Sequence, residues 1–318
     1  MSNRKRRLRI FPIVCIVAVL AVTVWAVTLV IGMVKPSKPS GNTEETVTPI
    51  TPNDENTDIG GETVPSEGIS ETPDKPEEQP TVTVPDEDKT VFEENAPKPV
   101  YTHAELLEMY PEAVLDKSED AGQSYIDDIV FIGDSTTHGM AFYGVLKGGK
   151  ETDQVWTPKS GTLAMWNLLL ENIVYPEDGS EMLIADAIAI KRPAKVVLTL
   201  GVNGVSSLSE EDFKKYYQGL IDVIKRESPD SDVILQSIYP VCDYYQYVNS
   251  ISMEKINRAN SWIAQLASEN GIHYLNTITA LVNEKGYLNN DYCNGDGIHI
   301  SKQGFNVILD YIRTHAID

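Results

Sequence analysis

The stretch VFIGDSTTHGM, residues 130–140, begins as an apolar run and breaks at once into glycine, aspartate, serine and two threonines. The apolar part reads as a buried strand, and the small polar residues after it read as a tight turn into a helix. Such a turn leaves Ser135 at the mouth of the fold. One serine is not a mechanism, so the rest of the chain has to supply its partners.

Downstream the same alternation repeats. KVVLTLG (195–201) is a continuous apolar run of strand length, the pattern of a strand buried on both faces. In SEEDFKKYYQGLIDVIKRE, Ser209 is a cap candidate, acids fill the first turn, and Phe213, Tyr217, Leu220, Ile221 and Ile224 share one side. DVILQSIYPV reads as the next strand, MEKINRANSWIAQLASEN as a helix, IHYLNT as the last strand and SKQGFNVILDYIRTHA as the final helix. SGTLAMWNLLLENI and MLIADAIAIK (182–191) also show apolar residues at helical spacing. Strands alternating with helices predict an α/β fold, a parallel sheet covered on both faces, with the ligand site beyond the carboxyl ends of the strands.

Before this region the composition changes twice. Residues 1–9 carry five positive charges and no acid, and residues 10–34 carry no charge at all. An apolar run of this length is enough for a bilayer, which takes roughly 20 residues. It lacks the A-x-A ending of a cleavable signal, so a retained single-pass anchor is expected, with the basic tail cytoplasmic and the remainder outside. Residues 35–100 hold 11 of the 18 prolines and 16 acids against five bases, a disordered linker composition. Residues 101–318 form the remaining segment and the one able to bury a core. The net charge of −21 argues against a nucleic-acid partner, since phosphate binding needs a basic face.

Polar residues where strands have just ended are the site candidates. After the first strand come Asp134 and Ser135, after LTL come Gly201, Val202 and Asn203, and before the last helix lies CNGDGIHIS with Asp296 and His299. A serine hydroxyl becomes a nucleophile when a base takes its proton, and a neutral imidazole suits that task. A carboxylate on the other ring nitrogen fixes the tautomer, and the three-residue spacing of Asp296 and His299 lets one turn bring them together. The Ser135 N–H and the Asn203 amide are candidate donors to an oxyanion.

These residues resemble the GDSL or SGNH hydrolases. Gly133, Asp134 and Ser135 look like the family's first block, Gly201, Val202 and Asn203 like its G-x-N block, and Asp296 to His299 like its final D-x-x-H. Ser160, Gly161 and Thr162 are similar to its S-G-x-T form with one residue missing, which makes Gly161 a further candidate donor; Thr136 stands where a leucine is usual. The resemblance covers residues 126–317 and implies a three-layer flavodoxin-like fold, a Ser135, His299 and Asp296 triad, an acyl-enzyme, and no metal or cofactor. With an outward-facing anchor it points to a serine esterase for short acyl groups, O-acetyl esters of a cell-envelope carbohydrate, working as a monomer. Acyl transfer to a glycan hydroxyl, or glycan binding without turnover, are the rival readings. A phosphate cradle at GDSTTHG leaves Asp296 and His299 unexplained.

Several other residues have plainer readings. Asp134 is expected to support the serine turn. His138, three residues after Ser135 on the same helix, is read as packing, as are His103, His273 and His315. Trp156 and Tyr143 are candidates to border the cleft, with burial as the default. Cys242 and Cys293 each follow a strand on the same edge, so a disulfide and two free thiols both stay open.

Overall fold

The apolar run that opens the quoted stretch is strand β1 (Ile129–Gly133), every residue of which is buried. The computed structural model describes residues 92–317. Beside β1 lie β2 (Val155–Trp156) on one side and β5 (Lys195–Thr199) on the other. Strands β6 (Asp232–Gln236) and β7 (His273–Leu275) follow outward from β5. All four pairings are parallel, in the order β2-β1-β5-β6-β7. Counted within the sheet this is the 2-1-3-4-5 order, in which the chain reverses direction between β1 and β5 and opens a crevice at their carboxyl ends.

Alternation along the strands explains the layers. Val130, Ile132, Val196, Leu198, Val233 and Leu235 face one core with helices α4 (Ile184–Lys191), α5 (Glu210–Glu227) and α6 (Met253–Asn270). Ile129, Phe131, Val197 and Ile234 face the other with α2 (Gly122–Asp127), α3 (Ser135–Tyr143) and α7 (Lys302–Thr314). The expected three layers, α/β/α, are therefore present. The Ser209 cap acts as read, its hydroxyl accepting from Asp212 N–H (3.1 Å) at the start of α5, and Ser301 caps α7 in the same way, accepting from Gly304 N–H (3.2 Å).

Three segments depart from expectation. The SGTLAMWNLLLENI segment is not a helix: it holds one 3₁₀ turn (Met165–Asn167) and then β3 (Asn172–Val174). Strand β3 pairs antiparallel with β4 (Glu181–Leu183), which takes Met182 and Leu183 away from the helix expected at 182–191, so α4 starts at Ile184. Leu163, Met165, Leu168 and Ile173 are buried, but Trp166, Leu169 and Leu170 are exposed, so the apolar spacing serves a loop crossing the surface. Residues 92–100, assigned by composition to the linker, are docked on the domain. Glu93 N–H donates to Glu284 O (2.8 Å), and Asn257 Nδ2 donates to Lys98 O (2.8 Å).

Ahead of α2, α1 (His103–Met109) is closed by a capping box from Thr102 and Glu105. Residues 113–115 then lie along β7, with Tyr274 N–H donating to Ala113 O (2.7 Å) and Leu115 N–H to Tyr274 O (2.9 Å), and cover that edge. Among the described residues no helix is long and apolar enough to cross a membrane, and the expected anchor at 10–34 lies outside them.

Gly133 shows how tightly the end of β1 is built. It pairs with Thr199 of β5, and a Cβ at this position would sit 2.5 Å from the Thr199 carbonyl oxygen and collide with Thr137 Oγ1. Gly133→Ala is expected to destabilise the fold by about 2 kcal/mol or more, read as a lower denaturant midpoint at unchanged slope.

Candidate active site

Ser135 is the first residue of α3, directly beyond β1, so its N–H has no intrahelical acceptor and is directed out of the helix end. Asp134 caps that helix. Its Oδ1 accepts from Thr136 N–H (3.0 Å) and Thr136 Oγ1–H (2.7 Å), which fixes the turn that presents the serine.

From the opposite end of the chain, the 294–299 loop brings a base to the same hydroxyl. His299 Nδ1–H donates to Asp296 Oδ2 (2.7 Å), which leaves Nε2 to accept from the Ser135 hydroxyl (3.0 Å). Asp296 is itself held by the loop, its Oδ1 accepting from Ile298 N–H and His299 N–H, both at 2.9 Å. Gly295 (φ +106°) and Gly297 (φ +89°) allow this turn, which L side chains rarely adopt. Ser135, His299 and Asp296 thus form one hydrogen-bonded chain.

The two aspartates sit in contrasting surroundings. Asp134 is 1% exposed, and burial pushes its carboxyl up to about 6 despite the Thr136 hydrogen bonds, the nearby His299 and the Gly201 N–H. For Asp296, partial burial raises the value, but the N–H groups of His299 and Ile298 and the His299 ring outweigh it and hold the carboxyl below the ordinary carboxylate range.

Asn203 lies beyond β5, on the other side of the crevice, and its Nδ2 donates to Thr162 Oγ1 (3.1 Å). One of its two amide protons is therefore engaged, and Asn203 is not among the residues lining the cavity over Ser135 and His299. Gly161 does not meet the donor role expected of it: its N–H is committed to Pro158 O (2.7 Å). Gly161 sits at φ +75°, a backbone conformation that favours glycine, beside the His138 ring.

A cavity of ≈ 220 Å³ opens over Ser135 and His299. His138, Gly139 and Phe142 line it from the face of α3 that carries Ser135, with Asn294 on the loop opposite. His138 hydrogen-bonds Thr157 Oγ1 through Nδ1 (3.2 Å), in keeping with a packing role, yet it also walls the cavity. The i, i+3, i+4, i+7 spacing from Ser135 is the sequence signal for these wall residues. Tyr143 borders the cavity, whereas Trp156 is buried in the core as β2 pairs with β1. A larger cavity, ≈ 350 Å³, lies beneath residues 92–104 and is lined by none of Ser135, Asn203, Asp296 and His299. Among the described residues no group of three His, Cys, Asp or Glu side chains is placed to hold a metal ion. Cys242 and Cys293 are unbonded.

Among solved structures, the fold is similar to a GDSL-like lipase from Bacteroides thetaiotaomicron, 19% identical, covering 61% of this chain and 89% of that one at a TM-score of 0.42. It is also similar to a carbohydrate esterase family 3 protein from Talaromyces cellulolyticus, 15% identical, covering 58% and 93% at a TM-score of 0.38. No curated protein matches the sequence. The profile of the GDSL-like lipase/acylhydrolase family matches residues 131–307, which run from β1 into the helix after His299. That is more than half of the 318 residues, and the chain is a member of the GDSL-like lipase/acylhydrolase family.

Proposed function

We propose that the protein is a serine esterase that removes short acyl groups, with O-acetyl esters of a cell-envelope carbohydrate as its substrate class. The observation that carries this reading is the hydrogen-bonded chain from Asp296 through His299 to Ser135 at the crevice between β1 and β5. In the first step Ser135 Oγ attacks the ester carbonyl while His299 Nε2 takes the hydroxyl proton. Asp296 holds the ring and stabilises the imidazolium. The Ser135 N–H and Asn203 Nδ2–H donate to the tetrahedral oxyanion. The imidazolium then protonates the leaving alcohol, the C–O bond breaks, and an acyl-serine remains. Water, deprotonated by the same imidazole, attacks the acyl carbon and releases the carboxylic acid, and the proton returns to Ser135.

Size supports a small acyl group. The ≈ 220 Å³ of the cavity falls below the about 300–1,000 Å³ typical of sites for drug-sized ligands. Phe142 stands 61% exposed at the rim with its ring in edge contact with Tyr143, a surface on which the apolar face of a sugar can rest. Anchoring by residues 10–34, with the domain outside the cell and displayed on the acidic linker, belongs to the same proposal. It would place the enzyme against envelope polymers.

Turnover of p-nitrophenyl acetate by the full chain tests the reaction. Ser135→Ala and His299→Ala are each expected to lower kcat by about a thousandfold or more; full activity in both rules the mechanism out. Asn203→Ala is expected to lower kcat by about a hundredfold to a thousandfold with little change in KM, and an unchanged kcat removes Asn203 from the oxyanion site.

Asp134 gives a pH signature. Because its folded value, about 6, lies above that of an exposed aspartate, the native state binds a proton more tightly than the unfolded chain. That stabilisation is complete below about pH 4 and is lost as pH rises to about 6, a change of ~3 kcal/mol. Denaturant titrations across this window are expected to show the loss in the wild type and not in Asp134→Asn, whose side-chain oxygen can still accept from Thr136 N–H.

A further inference from the structure

The loop that carries Asp296 and His299 is held largely by its own short-range bonds. Asp296 N–H donates to Asn294 Oδ1 (3.0 Å), Asn294 N–H donates to His299 O (3.0 Å), and Asn294, Gly295 and Asp296 are exposed. Its seat on the body of the domain is Gly297. A Cβ there would stand 2.9 Å from Tyr245 Cα, so the loop is pressed against the segment that follows β6.

Both cysteines meet at that seat. Cys242 N–H donates to Gly297 O (2.8 Å), and Cys293 Sγ accepts from Gly297 N–H (3.3 Å) and Gly295 N–H (3.4 Å). The two thiols and the Tyr244 hydroxyl lie close enough to influence one another electrostatically. Cys242 is fully buried while Cys293 is half-exposed. We propose that Cys242 and Cys293 are a reversible disulfide site that clamps the loop bearing Asp296 and His299 to the segment after β6 and so sets the activity of the enzyme.

The bridge forms by exchange with a small-molecule disulfide. The Cys293 thiolate attacks one sulfur of that disulfide, whose S–S bond breaks and releases the first thiol. Cys242, losing its proton to solvent, then attacks Cys293 Sγ and displaces the second. Two protein thiols are oxidised and one external disulfide is reduced to two thiols. The order follows from exposure, and burial, reinforced by the Cys293 thiol, pushes the Cys242 thiol up to about 12, although Tyr244 opposes the shift. Cys242 is therefore the resolving thiol and not the entry point. Once formed, the bond replaces a contact through sulfur hydrogen bonds with a covalent tie on the residue where the loop begins.

The effect on turnover rests on the hydrolase reading, whereas the clamp itself does not. The full chain is treated with glutathione disulfide, and its thiols are then alkylated and weighed. Hydrogen exchange of the 294–299 amides and turnover of p-nitrophenyl acetate are compared before and after the treatment. The chain has a third cysteine, Cys15, so alkylation is read peptide by peptide; the expected result is loss of the alkylatable thiols at Cys242 and Cys293, at least fivefold slower exchange in the loop, and at least twofold higher kcat at unchanged KM, all reversed by dithiothreitol. Cys293→Ser, whose hydroxyl can still accept from the two glycine N–H groups, and Cys242→Ala are expected to show none of these responses. Thiols at Cys242 and Cys293 that stay alkylatable, or a bridged protein with unchanged exchange, overturn the clamp. A clamp that slows exchange without changing a measurable kcat overturns its control of activity. If the protein turns over no ester in either state, it is the hydrolase reading that fails, and the exchange measurement still decides the clamp.

Discussion

At the carboxyl end of the β1 and β5 ladder, Gly133 and Thr199 stand opposite one another with no room for a side chain at 133. Everything at the site depends on this closeness. It sets the turn after β1, with Ser135, beside the end of β5, after which Asn203 follows. The Thr137 hydroxyl donates across the gap to the Thr199 carbonyl (3.4 Å) and ties the first turn of α3 to the neighbouring strand.

The same economy of space divides the work of the two aspartates. Asp134 is sealed under the serine turn, where a charge is disfavoured and a fixed hydrogen-bond acceptor for the helix end is what the fold needs. Asp296 lies at the surface in a loop whose N–H groups favour its charge, and a charged carboxylate is what a developing imidazolium needs. Identical side chains, 162 positions apart, thus serve opposite electrostatic ends.

Much of this was legible in the sequence because it is local. The runs IVFIG and KVVLT are buried on both faces and can hardly be anything but central strands, and Ser209 and Ser301 announce the helices they cap. The three-residue spacing of Asp296 and His299 is a turn written into the chain. What was hidden is non-local. The stretch from Ser160 to Ile173 carries apolar residues that satisfy a helical period, but β4 competes for its last residues, and that partner is visible only in space. Gly161 matches the resemblance in type, but its amide is engaged by Pro158 O within the local turn, which only the fold shows. The docking of residues 92–100 was masked by prolines, which suit a strap that needs few donors as well as they suit a free linker.

The hydrogen bond between Ser135 and His299 joins residues 164 positions apart. During synthesis the serine, its helix and all five strands of the main sheet are made while the imidazole has yet to be added. On the esterase reading, a growing chain therefore carries its serine without its base, and reactivity arrives late, when α7 settles beside α3 and brings the preceding loop to the site.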